Sequence, residues 1–125
     1  IREHGYNTKV VAVDAEGSVL FDGDRGERIL PGYGAGVVTD LSRQVAPERV
    51  VRVAAQDAVR SARELARTTG FVPGASGGAV AWSVEQLLRE EAANEIVAIF
   101  HDDGRAYLDT VYNDDWADET FGREA

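Results

Sequence analysis

The stretch that decides the fold is GASGGAV, residues 74–80, which stands between TTGFVP and AWSVEQLLREE. Serine is a favoured first residue of a helix, so a helix cap is one interpretation of Ser76. The glycines around it exceed what a cap requires, and they allow a flat or anionic group to approach the positive end of a helix. The following residues predict a helix over about 77–93, whose inward-facing positions are Val80, Val84, Leu87 and Leu88.

Short apolar, β-branched segments alternate with helical patterns on both sides of this stretch. Predicted strands are KVVAVDA (9–15), RVVRVA (49–54) and EIVAIFH (95–101), and a predicted helix runs from about Asp57 to Thr69, before Gly70. One or two short helices follow in AYLDTVYNDDWADETF. Strands that alternate with helices are typical of a parallel α/β sheet. Since no repeat or linker interrupts the pattern, we expect one domain over residues 1–125.

Composition excludes several classes of function. The formal net charge is −9, from 13 basic and 22 acidic residues, which argues against a nucleic-acid partner because such partners require a basic surface. No apolar stretch approaches the roughly 20 residues that span a bilayer. The chain has no cysteine, which excludes disulfides and thiolate metal sites and fits a reducing compartment. We therefore expect a cytoplasmic protein.

The glycine-rich segment PGYGAG, residues 31–36, has three interpretations. A dinucleotide-binding loop requires a strand before it and a helix after it, and neither is evident here. A loop that needs positive φ angles would also use these glycines. The third interpretation is that the glycines bring the backbone close to a ligand.

Polar residues near the end of the chain could bind a metal or act in catalysis. HDDG (101–104) and YNDDW (112–116) lack the spacing of a calcium loop, so they predict turns and helix caps, and no metal site. Ser76 is not in a G-x-S-x-G turn, and His4 and His101 are the only histidines. A serine hydrolase is therefore disfavoured.

Several segments taken together resemble a known family. VVAVDAEGSVLF, RILPGYGAGVV, VVRV, ARELARTTGFVPGASGGAV and VAIFHDDGRAYLDTVYNDDW are similar, in the same order, to the C-terminal half of the cysteine synthase and cystathionine β-synthase family. The family is pyridoxal-phosphate-dependent and has the tryptophan-synthase-β (type II) fold. The resemblance implies a parallel-sheet, three-layer α/β piece of the large domain. The most similar branch joins O-phosphoserine and glutamate to make precursors of 2,3-diaminopropionate for siderophores and antibiotics.

The resemblance also assigns roles to residues. It implies that Ser76 faces the ring nitrogen of pyridoxal phosphate and that Gly32, Gly34 and Gly74 shape the cofactor cavity. A neutral hydroxyl does not impose a proton on that nitrogen, which suits β-replacement on an activated serine. One departure is His101, which stands where the family usually has proline.

A further departure concerns the lysine that links the cofactor in this family. Lys9 is the only lysine, and the resemblance gives its strand a structural role. The family's lysine and phosphate loop lie in an N-terminal half that this segment does not match. We therefore expect no catalytic residue here, an inactive segment when isolated, and a homodimer for the whole enzyme acting on amino acids. The alternative is a non-catalytic α/β binding or interaction module.

Overall fold

Two parallel strands form the sheet in the computed structural model, which describes residue 1 and residues 3–123. Strand β1 is Val11–Ala15 and strand β2 is Arg49–Val53, with Val11 opposite Arg49 and Ala15 opposite Val53. Both strands are rich in valine, whose branched side chain packs well on a pleated surface. The crossover between them carries a 3₁₀ turn at Leu20–Asp22 and the one-turn helix α1 at Asp40–Arg43.

Two long helices pack beside the sheet and against each other. Helix α2 is Ala55–Thr69, and it ends at Gly70, whose φ of 77° is the left-handed conformation typical of a helix end. Helix α3 is Ala75–Arg89. Gly78 lets the two helices approach so closely that a Cβ atom there would lie 2.1 Å from the Ala58 carbonyl oxygen. The predicted parallel α/β architecture is confirmed.

The predicted third strand, over 95–101, is wrong as a paired strand. Its residues up to 100 carry no strand assignment and join neither β1 nor β2. The segment still has the alternation of a one-faced strand, because Val97 and Ile99 are 85% and 74% exposed while Ile96, Ala98 and Phe100 are partly covered. Periodicity predicts an extended backbone, but a strand also needs a hydrogen-bonding neighbour, which no described residue supplies.

The end of the chain folds as two short helical elements, as predicted. A 3₁₀ turn spans Gly104–Tyr107, and helix α4 spans Asp114–Phe121. The Asn113 side chain accepts a hydrogen bond from the Trp116 amide and so caps α4, which confirms the capping interpretation of YNDDW. No helix among the described residues is long and apolar enough to cross a membrane.

The loop after β1 folds back over the carboxyl end of the sheet. Ser18 is fully buried, and its hydroxyl accepts hydrogen bonds from the amides of Leu20 (3.2 Å) and Ala35 (3.1 Å). One short side chain thereby ties the start of the loop to its glycine-rich part. In this loop Gly32 lies beside Ser76 at the start of α3.

Candidate functional site

Ser76 is buried at the start of α3 and does not cap the helix. The N-cap position is occupied by Gly74, and no side chain makes a capping hydrogen bond there. Ser76 is the second residue of the helix, not the residue that precedes its first turn. It is 1% exposed. The helix-cap interpretation is therefore wrong, and the hydroxyl is available for other partners.

The partners of the Ser76 hydroxyl are His101 and Asp102, which directly follow the extended residues 95–100. Ser76 Oγ lies 3.0 Å from His101 Nε2 and donates to Asp102 Oδ1 at 3.2 Å. The Tyr107 hydroxyl donates to the other carboxylate oxygen of Asp102 at 2.8 Å. Burial, followed by the hydrogen bond to Asp102 and the charge of that carboxylate, raises the pKa of Tyr107. The tyrosine therefore keeps its proton as a donor to Asp102.

Backbone contacts hold Asp102 in this position. The Gly74 amide donates to the Asp102 carbonyl at 3.2 Å, and the Gly104 amide donates to the Val72 carbonyl at 2.8 Å. Gly74 also makes room for the Asp102 side chain, since a Cβ atom on residue 74 would lie 2.2 Å from Asp102 Oδ1. Gly74 therefore borders the site, because the absence of a side chain at residue 74 leaves space for the side chain of Asp102.

The two predicted glycines of PGYGAG lie in different surroundings. Gly32 has a φ of 92°, and a Cβ atom on it would lie 3.5 Å from Ser76 Cβ and 3.7 Å from the Tyr107 hydroxyl. Gly34 has a φ of 75°, and a Cβ atom there would lie 2.7 Å from Ala15 Cβ. Gly32 therefore borders Ser76, whereas Gly34 packs onto the end of β1. Both need the positive φ that glycine tolerates.

Tyr33, between these glycines, points into the protein. It is 9% exposed, and burial, reinforced by the charges of Glu16, Asp14 and Asp57, raises its pKa to about 12. PGYGAG is followed by the one-turn helix α1 after two valines and a threonine, and the residues directly before it, 23–30, form no strand. The dinucleotide interpretation therefore lacks its required context.

The contact between Ser76, His101 and Asp102 is not a hydrolase triad. In such a triad the acid holds the second nitrogen of the histidine and the serine faces the substrate. Here the Asp102 carboxylate contacts Ser76 and Tyr107 instead. The serine is also almost completely buried, so the arrangement holds a hydroxyl in place and does not generate a nucleophile.

The remaining acidic residue of HDDG, Asp103, lies in a turn, as predicted. Asp103 accepts a hydrogen bond from the Arg105 amide at 3.0 Å and forms an ion pair with the Arg105 side chain. Those hydrogen bonds, the side-chain one foremost, lower the pKa of Asp103. Across residue 1 and residues 3–123, no group of three or more potential metal ligands comes together.

The sequence prediction missed three residues that contact the Ser76 environment. The sequence patterns predict a turn at His101 and Asp102, since adjacent side chains on a strand diverge, and they assign no role to Tyr107. They converge because the chain turns sharply after His101. One feature of the sequence could have indicated that these side chains belong to the site. Asp102 and Tyr107 stand five residues apart within a segment that already resembles the synthases. A groove of about 710 Å³ lined by α2, α3 and α4 contains none of these residues.

Lys9 is far from Ser76. It lies two residues before β1, exposed, at the amino end of the strand. The glycine-rich loop and Ala15 lie at the carboxyl end, about 20 Å away at roughly 3.3 Å per residue. A lysine side chain cannot span that distance.

The sequence and the fold both match synthases of known identity. The chain is 40% identical over 117 residues to N-(2-amino-2-carboxyethyl)-L-glutamate synthase of Ralstonia nicotianae, and the match covers 93% of this chain and 35% of that enzyme, in its C-terminal part. The fold matches isoform 3 of O-acetylserine sulfhydrylase from Entamoeba histolytica with a TM-score of 0.75 and 31% identity, over 89% of this chain and 34% of the other. The chain is a relative of the cysteine synthase-type enzymes.

A second solved structure supports this relationship. Cysteine synthase from Entamoeba histolytica matches with a TM-score of 0.74 and 26% identity, and the match covers 99% of this chain and 40% of that one. No protein-family model matches the chain. The resemblance predicted from PGYGAG and GASGG is confirmed, and the chain spans between a third and two fifths of the length of these synthases.

Proposed function

We propose that this chain is the C-terminal part of the cofactor-binding domain of a pyridoxal-phosphate enzyme that carries out β-replacement on an activated serine. The observation that carries the proposal is the buried hydroxyl of Ser76 beside Gly32. It lies within a chain that is 40% identical to the N-(2-amino-2-carboxyethyl)-L-glutamate synthase of Ralstonia nicotianae. We also propose that residues 1–125 act as one unit.

The residues around Ser76 suit a flat aromatic ring with a polar nitrogen. Gly32 is exposed and has no side chain, so a ring can approach its backbone beside Ser76. Ser76 offers a hydroxyl held by Asp102. Pyridoxal phosphate, when bound, supplies an electron sink that weakens bonds at the α and β carbons of an amino acid. The chemistry of this donor set is consistent with that group.

Each predicted cofactor-binding residue has a distinct proposed role. Ser76 holds the ring nitrogen, and Gly32 forms the backbone surface next to the ring. Gly74 acts through Asp102, whose side chain occupies the space that a larger residue would fill. Gly34 acts through the loop, because its contact with β1 holds Gly32 in place.

The proposed substrates are O-phosphoserine and glutamate. The Ralstonia relative is named for a product in which a 2-amino-2-carboxyethyl group is attached to glutamate, and a three-carbon unit of that kind corresponds to the carbon skeleton of serine. O-acetylserine with sulfide, or homocysteine as the acceptor, are the competing pairs within the same chemistry. The product would enter 2,3-diaminopropionate, siderophore or antibiotic biosynthesis, through a cytoplasmic homodimer.

The lysine that links the cofactor would come from polypeptide outside these 125 residues. A Schiff base requires a lysine amine, and Lys9 lies at the wrong end of β1. The segment in isolation is therefore proposed to be inactive. The lack of a suitably placed lysine in this segment also favours a second candidate function, a non-catalytic α/β binding module.

Two measurements on the protein as its gene encodes it test these proposals. Product formation from O-phosphoserine and glutamate, compared with O-acetylserine and sulfide, identifies the substrates. Absence of both activities favours the binding module. Ser76→Ala is expected to weaken pyridoxal phosphate binding roughly tenfold, about the value of one hydrogen bond. Ser83→Ala is the matched control, since Ser83 is equally buried in α3 but bonds to the Ala79 carbonyl. Equal affinity in both variants would contradict the role of Ser76.

A further inference from the structure

Tyr33 carries a polar group that the candidate site does not use. The side chain is only 9% exposed, yet its hydroxyl forms no hydrogen bond with any residue in the described part of the chain. A buried hydroxyl without a partner has lost the hydrogen bonds that it made to water. Because burial raises the pKa of Tyr33 to about 12, the hydroxyl keeps its proton at neutral pH and can donate. This donor points to a ligand that accepts a hydrogen bond.

The Tyr33 side chain lines a pocket of about 280 Å³ at the carboxyl end of the sheet. The other covered parts of its wall are the ends of both strands and the start of α2, at Ala15, Val53, Ala54, Ala55 and Gln56. Helix α2 has 15 residues, and no side chain caps it at Ala54. The N–H groups of a first turn are free and carry partial positive charge. In the same turn, Asp57 is paired with Arg60 at 3.1 Å. The covered part of the pocket therefore offers donors from two independent sources.

The rim of this pocket carries negative charge. Glu16 and Glu27 both line the pocket and are exposed, and neither forms an ion pair within the described residues. Arg28 also lines the rim, but its guanidinium group lies toward Gly36, where an added Cβ atom would be 3.2 Å from one of its nitrogens. A simple anion would be repelled by the two glutamates. A simple cation would face the donors at the covered end.

A zwitterion satisfies both ends of the pocket at once. The carboxylate of an α-amino acid accepts hydrogen bonds from Tyr33 and from the start of α2, and its ammonium group faces the glutamates of the rim. Leu30 and Val53, which are buried, and Phe121 supply apolar wall for a side chain. We propose that this pocket binds an apolar α-amino acid, at a site separate from Ser76. Since Tyr33 directly follows Gly32, the occupied pocket holds the loop that borders Ser76.

Calorimetric titration of the protein as its gene encodes it, kept free of pyridoxal phosphate, tests the proposal with L-valine as the probe. The compound 3-methylbutanoate is L-valine without the ammonium group, and isobutylamine is L-valine without the carboxylate. L-Valine is expected to bind at least about tenfold more tightly than either, because each charged group adds hydrogen bonds of about 1.5 kcal/mol or more. Equal binding of 3-methylbutanoate or of isobutylamine would overturn the proposal, as would absence of L-valine binding. None of these results depends on the proposed function, which concerns pyridoxal phosphate.

Matched variants locate the bound amino acid. Tyr33→Phe keeps the ring and removes the hydroxyl, and it is expected to weaken L-valine binding about tenfold. Tyr6→Phe makes the same change at a residue that is 67% exposed and outside the pocket, so it should bind as the unmodified protein does. The double variant Glu16→Gln, Glu27→Gln should lose the preference for L-valine over 3-methylbutanoate. Equal affinity in the two tyrosine variants, or a preference unchanged in the double variant, would overturn the proposal. Loss of L-valine binding in Ser76→Ala would also overturn it, since the amino acid would then occupy the candidate site.

Discussion

Gly78 is the position where a single added methyl group should do the most damage to the fold. It lies in α3, and a Cβ atom there would be 2.1 Å from the Ala58 carbonyl oxygen and 2.8 Å from Ala62 Cβ. Real Cβ atoms essentially never come closer than 3.0 Å to such atoms. In Gly78→Ala the two helices must therefore separate by about 1 Å, because backbone cannot yield as a flexible side chain does.

The expected cost follows from two opposing effects. A gap of about 1 Å forfeits a quarter to a half of the dispersion energy of the contacts it opens, and overpacking of this kind costs about 1–3 kcal/mol or more. Alanine is a better helix residue than glycine by about 1 kcal/mol. Ala58, Ala62 and Ala79 are all fully buried at this contact, so we expect the steric effect to exceed the propensity effect. The predicted net loss is about 1–2 kcal/mol.

Urea unfolding, followed by far-ultraviolet circular dichroism, measures this loss. The matched control is Ala81→Ser, which adds one heavy atom to the same helix but toward the open groove lined by α2, α3 and α4, and which should change stability by about 0.5 kcal/mol or less. If Gly78→Ala is as stable as the starting protein or more stable, the close approach of α2 and α3 is not as described.

Three further predictions concern other parts of the chain. Arg63 donates to the Val111 and Asn113 carbonyls and to Asp114, so Arg63→Lys should cost about 1–2 kcal/mol in urea unfolding, whereas Arg67→Lys in an exposed pair should cost less than about 0.5 kcal/mol. Burial raises the pKa of Tyr33 and of Tyr112 to about 12, from 10.0. Their contribution to stability is complete below pH 10 and is lost as the pH rises toward about 12. Replacing both with phenylalanine should flatten that loss, and an unchanged pH profile would contradict the burial described. The isolated segment, mixed with pyridoxal phosphate, should show no visible absorbance from a lysine-linked cofactor. Absorbance that is present in the segment and lost in Lys9→Arg, which removes its only lysine, would contradict this.

Local patterns predicted most of the helical elements and both paired strands. Helix α2 ends at Gly70 as the sequence indicates, because a left-handed residue there is a local requirement. The sequence predicts the start of α3 at residue 77, two residues late, because serine favours the cap position that Gly74 occupies in the structure. The strand predicted at 95–101 failed for a different reason, since pairing depends on a neighbour that periodicity within the segment cannot reveal.

Some features of the candidate site were likewise predictable from local sequence, and others were not. The identity of Ser76, Gly32 and Gly74 as residues of interest followed from the sequence by itself, because glycines around a serine at a helix start are unusual and resemble a known cofactor site. The direction in which Ser76 points, and its contacts with His101 and Asp102, were decided only by the tertiary structure. Those contacts depend on a turn after His101 and on the space left by Gly74, 28 residues earlier than Asp102 in the chain. Sequence patterns report what each segment can do, whereas hydrogen-bond direction depends on which distant groups the fold brings within 3 Å of one another.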